Sequence, residues 1–153
     1  MTVGSILHAM DAAQALADLT EISSQVHQVA ITGSDGSLLA ATARDPARAD
    51  RFVAALTPLL DEADRLARSR GLAELAQLEV STLEGSVFAV RQDGRLIVAT
   101  TRPDPTVGLV FYDLTHCLSS IDPAPEAGHD SGTNGAGEAA AVPRRRRRAD
   151  TSA

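Results

Sequence analysis

Residues 77–101, QLEVSTLEGSVFAVRQDGRLIVATT, have the alternation and the turn residues of three consecutive β-strands. In the first segment, apolar or β-branched side chains alternate with polar ones, as expected where successive side chains point to opposite faces of a sheet. The two sets are Leu78, Val80 and Thr82 on one face and Gln77, Glu79 and Ser81 on the other. Between the second and third segments, Asp93-Gly94 suits a two-residue type I′ turn. The stretch therefore predicts antiparallel strands that helices from elsewhere in the chain must cover.

Two further strands are predicted upstream, in residues 25–42, QVHQVAITGSDGSLLAAT. The Gly-Ser-Asp-Gly segment in its middle is typical of a turn. On the strand before that turn, His27, Val29 and Ile31 share one face by period-two alternation. We therefore interpret His27 as a core or interface side chain rather than a ligand.

The longest predicted element is a helix in residues 45–71. Asp45 is the expected N-cap, Pro46 occupies the first helical position, and Gly71 follows the last turn. Pro58 lies in the interior of this helix, where it removes a backbone hydrogen bond and is expected to bend the axis.

Two shorter helices complete the predicted order. One lies within residues 5–23, with Ser5 as its N-cap, and the other opens at Asp104-Pro105. The resulting order is αββαβββα, and short turns between the strands indicate a five-stranded, mostly antiparallel sheet covered by helices. The fold class is α/β, more specifically α+β.

The composition excludes several classes of protein. The chain has no Lys, so it can be neither a P-loop nucleotidase nor a Schiff-base enzyme. Residues 1–122 carry 16 acidic side chains against 9 Arg, opposite in sign to most nucleic-acid-binding domains. A single Cys is consistent with a reducing compartment, and no apolar run is long enough to span a membrane. We expect a cytoplasmic protein.

A change in composition near residue 122 divides the chain. Residues 1–122 are predicted to form one domain, whereas 123–153 are rich in Pro, Gly and Ala and predict a disordered tail. The run Arg144 to Arg148, that is Arg144, Arg145, Arg146, Arg147 and Arg148, predicts a weak contact with polyanions. The alternative, a solvated tail without a binding role, stays open.

Residues 104–118, DPTVGLVFYDLTHCL, hold the only Cys and the only Tyr of the chain. On a helix, the large apolar side chains of this segment form one stripe, with Cys117 at its edge. We interpret Cys117 as a small buried side chain, because free Cys is among the most buried residue types. A metal site from Asp113, His116 and Cys117 lacks further ligands. No catalytic, metal or cofactor-binding residue is predicted.

The long helix has an apolar face that is wider than one sheet face requires. When the helix is projected at about 100° per residue, one edge of that face carries Phe52, Leu59 and Leu66. These residues and the strand formed by Gln77, Leu78, Glu79, Val80 and Ser81 predict the interface of a homodimer. A monomer whose whole helical face covers a curved sheet is the alternative.

The opposite face of the long helix is expected to be solvated. It carries two pairs of opposite charge with i,i+4 spacing, Asp61–Arg65 and Asp64–Arg68.

Two segments resemble the roadblock family: VAITGSDGSLLAAT, residues 29–42, and RLIVATTRPDPTVGLVFYDL, residues 95–114. The similarity extends over residues 5–121 together with the element order. It implies a roadblock/profilin-like fold and a non-enzymatic module without a cofactor. It also implies homodimerisation through the long helix and the following strand, and binding of a small Ras-like GTPase whose nucleotide cycle the dimer modulates. A small-molecule-sensing α/β module is the alternative function.

Overall fold

The computed structural model describes residues 10–123, and the predicted order αββαβββα is confirmed there. The helices are α1 (Ala12–Ile22), α2 (Pro46–Ser69) and α3 (Val107–Ser120). The strands are β1 (Val26–Thr32), β2 (Leu38–Ala41), β3 (Gln77–Thr82), β4 (Gly85–Gln92) and β5 (Arg95–Thr101).

The five strands form one sheet in the order β2-β1-β5-β4-β3. Every neighbouring pair is antiparallel, which confirms the predicted α+β architecture. β5 lies at the centre, whereas β2 and β3 are the two edges. Because the helices lie on both faces, the sheet has a separate apolar core on each side.

The two cores differ in the size of their side chains. α1 and α3 pack on one face, where large side chains such as Phe88, Ile97 and Leu114 are fully buried. The rings of Phe88 and Phe111 meet edge to face, with their centroids 5.1 Å apart. On the other face, Leu60 of α2 lies in a cluster with smaller strand residues, namely Ala30, Ala89 and Val98. Such short side chains let a helix approach the sheet closely.

The β3–β4–β5 meander depends on two glycines. Asp93 and Gly94 both have positive φ, 50° and 76°, as the predicted type I′ turn requires. Gly85 begins β4 at φ +155°, and a Cβ at this position would lie 2.4 Å from the carbonyl oxygen of Thr101. Only glycine therefore lets the β3–β4 turn lie against the end of β5.

Two helices begin later than the sequence predicts. α1 begins at Ala12, where the carboxylate of Asp11 accepts the N-cap bond; Ser5, the predicted cap, lies outside the described residues. α3 begins at Val107 rather than after Asp104. Asp104 adopts a positive φ of 56° instead of the extended backbone of an N-cap, and Thr106 occupies the cap position.

His27 is exposed, so its predicted place in the core with Val29 and Ile31 is wrong, whereas a place in an interface stays a prediction. The pairing of β1 with β5 shifts register between Val26 and Val29. The extra residue puts Val26, and not His27, against the same core as Val29.

The two ion pairs predicted on α2 are not formed within residues 10–123. Arg65 bonds to Glu62 instead of Asp61, at i,i+3 spacing on the exposed surface. Asp64 is buried rather than solvated, and it does not pair with Arg68.

Asp64 instead connects three parts of the fold. One carboxylate oxygen accepts a 2.9 Å hydrogen bond from the backbone N–H of Leu75, in the loop before β3. The other oxygen accepts from the guanidinium of Arg91 on β4. We call this arrangement the Asp64 clamp, because it attaches α2 to the sheet and to the start of β3. The Arg91 hydrogen bond, followed by the Leu75 bond, holds the pKa of Asp64 below its ordinary value.

We expect Asp64→Ala to lower the free energy of unfolding by about 1–3 kcal/mol, because it leaves the Leu75 N–H and Arg91 without their acceptor. The exposed Asp61→Ala on the same helix is the matched control and should change it by less than about 0.5 kcal/mol. Urea unfolding followed by circular dichroism measures both. Equal stability of the two variants would contradict the structural role of Asp64.

The same interaction predicts a pH dependence. A carboxylate whose folded-state pKa is lowered stabilises the protein above its unfolded-state pKa, and this contribution is lost as pH falls through the folded-state pKa. The stability difference between the wild type and Asp64→Asn should therefore be largest near neutral pH and should shrink in acid. A difference that stays constant with pH would show that the charge of Asp64 does not matter.

Candidate functional site

α2 exposes a row of apolar side chains beside its buried face. Leu60 and Ala49 face the sheet, whereas Leu59 is 42% exposed and Leu66 is 57% exposed. With exposed Ala55 they lie on one flank of the helix, which we call the leucine flank. On the other side of the sheet-facing residues Leu60 and Ala49, the helix surface is polar and carries Thr57, Asp61 and Arg68. An apolar flank left in water on one side only is a candidate contact surface.

Phe52 belongs to the same row as Leu59 and Leu66 by its helical spacing. Unlike them it is half-buried within its own protomer, where it packs against the core between α2 and the sheet.

α2 is continuous from Pro46 to Ser69, so Pro58 does not interrupt it. Pro58 is exposed, and the hydroxyl of Thr57 donates to the carbonyl oxygen of Val53, 3.0 Å away.

Among the strands of residues 10–123, β3 is an edge strand, with β4 as its one neighbour in the sheet. The N–H of Arg91 donates to the carbonyl oxygen of Ala76 at 2.9 Å, and a two-residue turn joins Thr82 to Gly85. In an antiparallel pair, residues that bond to the neighbour alternate with residues that bond outward. Even-numbered residues of β3 therefore bond to β4. The outward backbone groups are those of Gln77, Glu79 and Ser81.

The side chains of β3 divide between the two faces of the sheet as the alternation predicts. Leu78 packs against the core on the α2 side, and Val80, which shares its face, is half-buried. On the other face, the Ser81 hydroxyl donates to a carboxylate oxygen of Glu79 at 2.6 Å and lies 3.0 Å from the Ser86 hydroxyl. β3 thus presents an apolar side and a polar side along one free edge.

The Asp64 clamp links α2 to this edge. Asp64 lies between Leu59 and Leu66 along the chain but on a different side of the helix, and it holds the backbone of Leu75 two residues before β3 begins. The structure thus places the predicted residues on α2 and β3, two elements that the clamp connects through the loop before β3. The distance from α2 to the strand is set by a contact that the sequence did not predict.

Two exposed leucines near β3 were also missed. Leu83, in the β3–β4 turn, is 99% exposed, and Leu72, in the loop after α2, is 65% exposed. In the sequence, each could have been identified as a large apolar residue in a turn or loop, where polar residues are usual.

An open groove of about 300 Å³ lies between α1 and α3 and is lined in part by Asp113, His116 and Cys117. Burial, with a smaller effect from Asp18, raises the pKa of the Cys117 thiol to about 11, so the thiolate is scarce at neutral pH. Cys117 is buried, as predicted, and its thiol lies 3.5 Å from the carbonyl oxygen of Ala15.

The described residues show no cluster of metal-ligating side chains. Residues 10–123 hold no group of three or more His, Cys, Asp or Glu side chains placed to bind a metal ion. Nor does any helix of the described part have the length and apolar character needed to cross a membrane. The predicted polyanion contact, Arg144 to Arg148, lies outside the described residues.

Comparison with known proteins identifies the fold. Among solved structures, a Roadblock/LC7 domain from Streptomyces avermitilis has a TM-score of 0.64 at 15% identity, covering 72% of this chain and 94% of that chain. The gliding protein MglB of Thermus thermophilus has a TM-score of 0.60 at 14% identity, covering 72% and 84%. MglB of Myxococcus xanthus has a TM-score of 0.56 at 12% identity, covering 71% and 80%.

A search of curated proteins finds no match. The family model for the Roadblock/LC7 domain matches residues 12–104, from the first residue of α1 to the segment before α3. This match covers more than half of the chain and agrees with the observed fold. The chain belongs to the Roadblock/LC7 domain family.

Proposed function

We propose that this protein is a homodimeric, non-enzymatic platform that binds a small Ras-like GTPase and modulates its nucleotide cycle. The observations that carry the proposal are the exposed leucine flank on α2 and the free edge of β3, two elements that the Asp64 clamp connects. A second copy covers both features at once: α2 packs on its counterpart through Leu59 and Leu66, and the β3 strands pair edge to edge.

The GTPase partner is supported by the family. The resemblance to the roadblock family implies such a partner, and the family model for the Roadblock/LC7 domain matches residues 12–104. In the described part of this chain the one thiol is buried whereas Leu59 and Leu66 are exposed, which favours a binding role. Its contribution would then be binding. A bound protein shifts the equilibrium of a partner only by its differential affinity for the partner's two states.

Leu59→Asp should convert the dimer into a folded monomer, because it places a charge on each copy of the leucine flank. Leu59 is already exposed in the protomer, so the fold itself should tolerate the change. Ala54→Asp, exposed elsewhere on the same helix, is the matched control and should stay dimeric.

Light scattering at micromolar concentration gives the mass of each protein, and circular dichroism checks the fold. A monomeric wild type would overturn the dimer. A dimeric Leu59→Asp would show that the leucine flank is not part of the interface.

Nucleotide-state preference is the second test. We expect the immobilised wild-type dimer to enrich a small Ras-like GTPase from native cell extract, and the purified GTPase to bind with affinities that differ at least about tenfold between its GTP-analogue and GDP forms. Isothermal titration calorimetry measures both affinities. Equal affinities would reduce the protein to a passive scaffold. Absence of any GTPase would favour the small-molecule-sensing function, for which the groove between α1 and α3 is the available site.

A further inference from the structure

We propose that the dimer has one particular strand register, in which Val80 lies opposite Val80 of the partner subunit and Glu79 lies opposite the partner's Ser81. The inference rests on the proposed homodimer and adds which residues meet across its axis. Three observations lead to it: the direction of the backbone groups of β3, the bond already made by Leu75, and the position of Glu79.

The backbone allows only some registers. The outward groups of β3 belong to Gln77, Glu79 and Ser81, so a paired copy must place its own odd-numbered residues opposite them. A twofold axis then passes through one residue and its copy. The axis positions that keep five residues of each strand paired are Glu79, which pairs residues 77–81, and Val80, which pairs residues 78–82.

A shift of the axis to Leu78 conflicts with a bond that is already made. It would place Ser81 opposite the partner's Leu75, in a pair that exchanges backbone hydrogen bonds. The N–H of Leu75 already donates to Asp64 at 2.9 Å. The Asp64 clamp therefore ends the pairing edge before β3 begins. A shift to Ser81 keeps only residues 80–82 paired.

Charge decides between the two remaining positions. An axis at Glu79 puts the two Glu79 carboxylates directly opposite each other on one face, which is unfavourable for like charges. An axis at Val80 puts two valines in a closely spaced pair, with Cα atoms about 4.5 Å apart, on the apolar side of the strand. Glu79 then faces the partner's Ser81, the residue type whose hydroxyl already donates to this carboxylate within the protomer.

This register also gives Leu83 a neighbour. Counting outward from Val80, Leu83 lies opposite Gln77 of the partner subunit, where the partner's strand begins. The loop that leads into that strand carries the exposed Leu72. Each hairpin tip thus extends toward the partner's α2–β3 loop, and two leucines that water surrounds in the protomer come to lie near the ends of the paired β3 strands.

Disulfide crosslinking tests the register directly. In a Cys117→Ala background, Val80→Cys should form a disulfide-linked dimer at least about tenfold faster than Glu79→Cys or Leu78→Cys, because only directly opposite Cβ atoms approach the roughly 3.5–4.5 Å that a disulfide requires. Ala54→Cys, exposed on α2, is the matched control for random collision. Non-reducing gels after mild oxidation give the rates, and light scattering of each reduced variant gives its mass.

The outcomes separate this inference from the proposed function. Fastest linking of Glu79→Cys or Leu78→Cys in a dimeric protein would overturn the register and leave the dimer intact. Linking of no variant above the Ala54→Cys control, in a dimeric protein, would overturn β3 as the interface. A monomeric wild type would overturn the proposed homodimer itself.

A charge variant gives a second readout. Glu79→Gln should change the dissociation constant of the dimer less than about threefold, because Glu79 faces a hydroxyl across the axis. If the axis instead passes through Glu79, removal of the repulsion should tighten the dimer by about threefold to fivefold. Sedimentation equilibrium of the wild type and Glu79→Gln at neutral pH distinguishes the two results.

Discussion

The unpaired edge of β3 is the constraint on which the rest of the structure depends. β1, β5 and β4 each have two neighbours, and β2, the other edge, is only four residues long. β3 is longer, and its outward backbone groups form a template for another strand. The type I′ turn, Gly85 and the Asp64 clamp all hold this strand in place, so the exposed edge is a fixed feature of the fold.

α2 has two sides that differ in chemistry: one carries Asp64, which attaches the helix to the sheet, and another carries exposed leucines. Asp64, near the buried line of the helix, attaches it to β4 and to the loop before β3. Leu59 and Leu66, on another side, are left in water. A buried carboxylate with two fixed partners specifies one position for the helix, whereas leucines alone would allow it to slide. The leucine flank consequently keeps a fixed relation to β3.

Local signals in the sequence predicted local structure well. Asp93-Gly94 and Asp45-Pro46 act within a few residues of themselves, and the turn and the helix start lie where these residues indicate. Asp104-Pro105 is the exception among the local signals, because α3 begins only at Val107. The other errors concern contacts between distant segments. The exposure of His27 depends on a register shift against β5, and the burial of Asp64 depends on Arg91, 27 residues away. The i,i+4 spacing on α2 predicts an ion pair between Asp64 and Arg68. It carries no information about β4, which places Arg91 beside Asp64 in the folded protein.

The candidate site shows the same division. The apolar flank of α2 and the alternation of β3 were visible in the sequence, because each is a periodic feature of a single element. The order of strands that makes β3 an edge is a property of the whole sheet. In the proposed dimer, two protomers joined through this edge share one continuous sheet, so the surfaces available to the proposed GTPase partner are related by a fixed twofold axis. A rigid platform of this kind would act by binding one nucleotide state of its partner more tightly than the other. A 100-fold difference in affinity shifts the free-energy difference between the two states by about 2.7 kcal/mol.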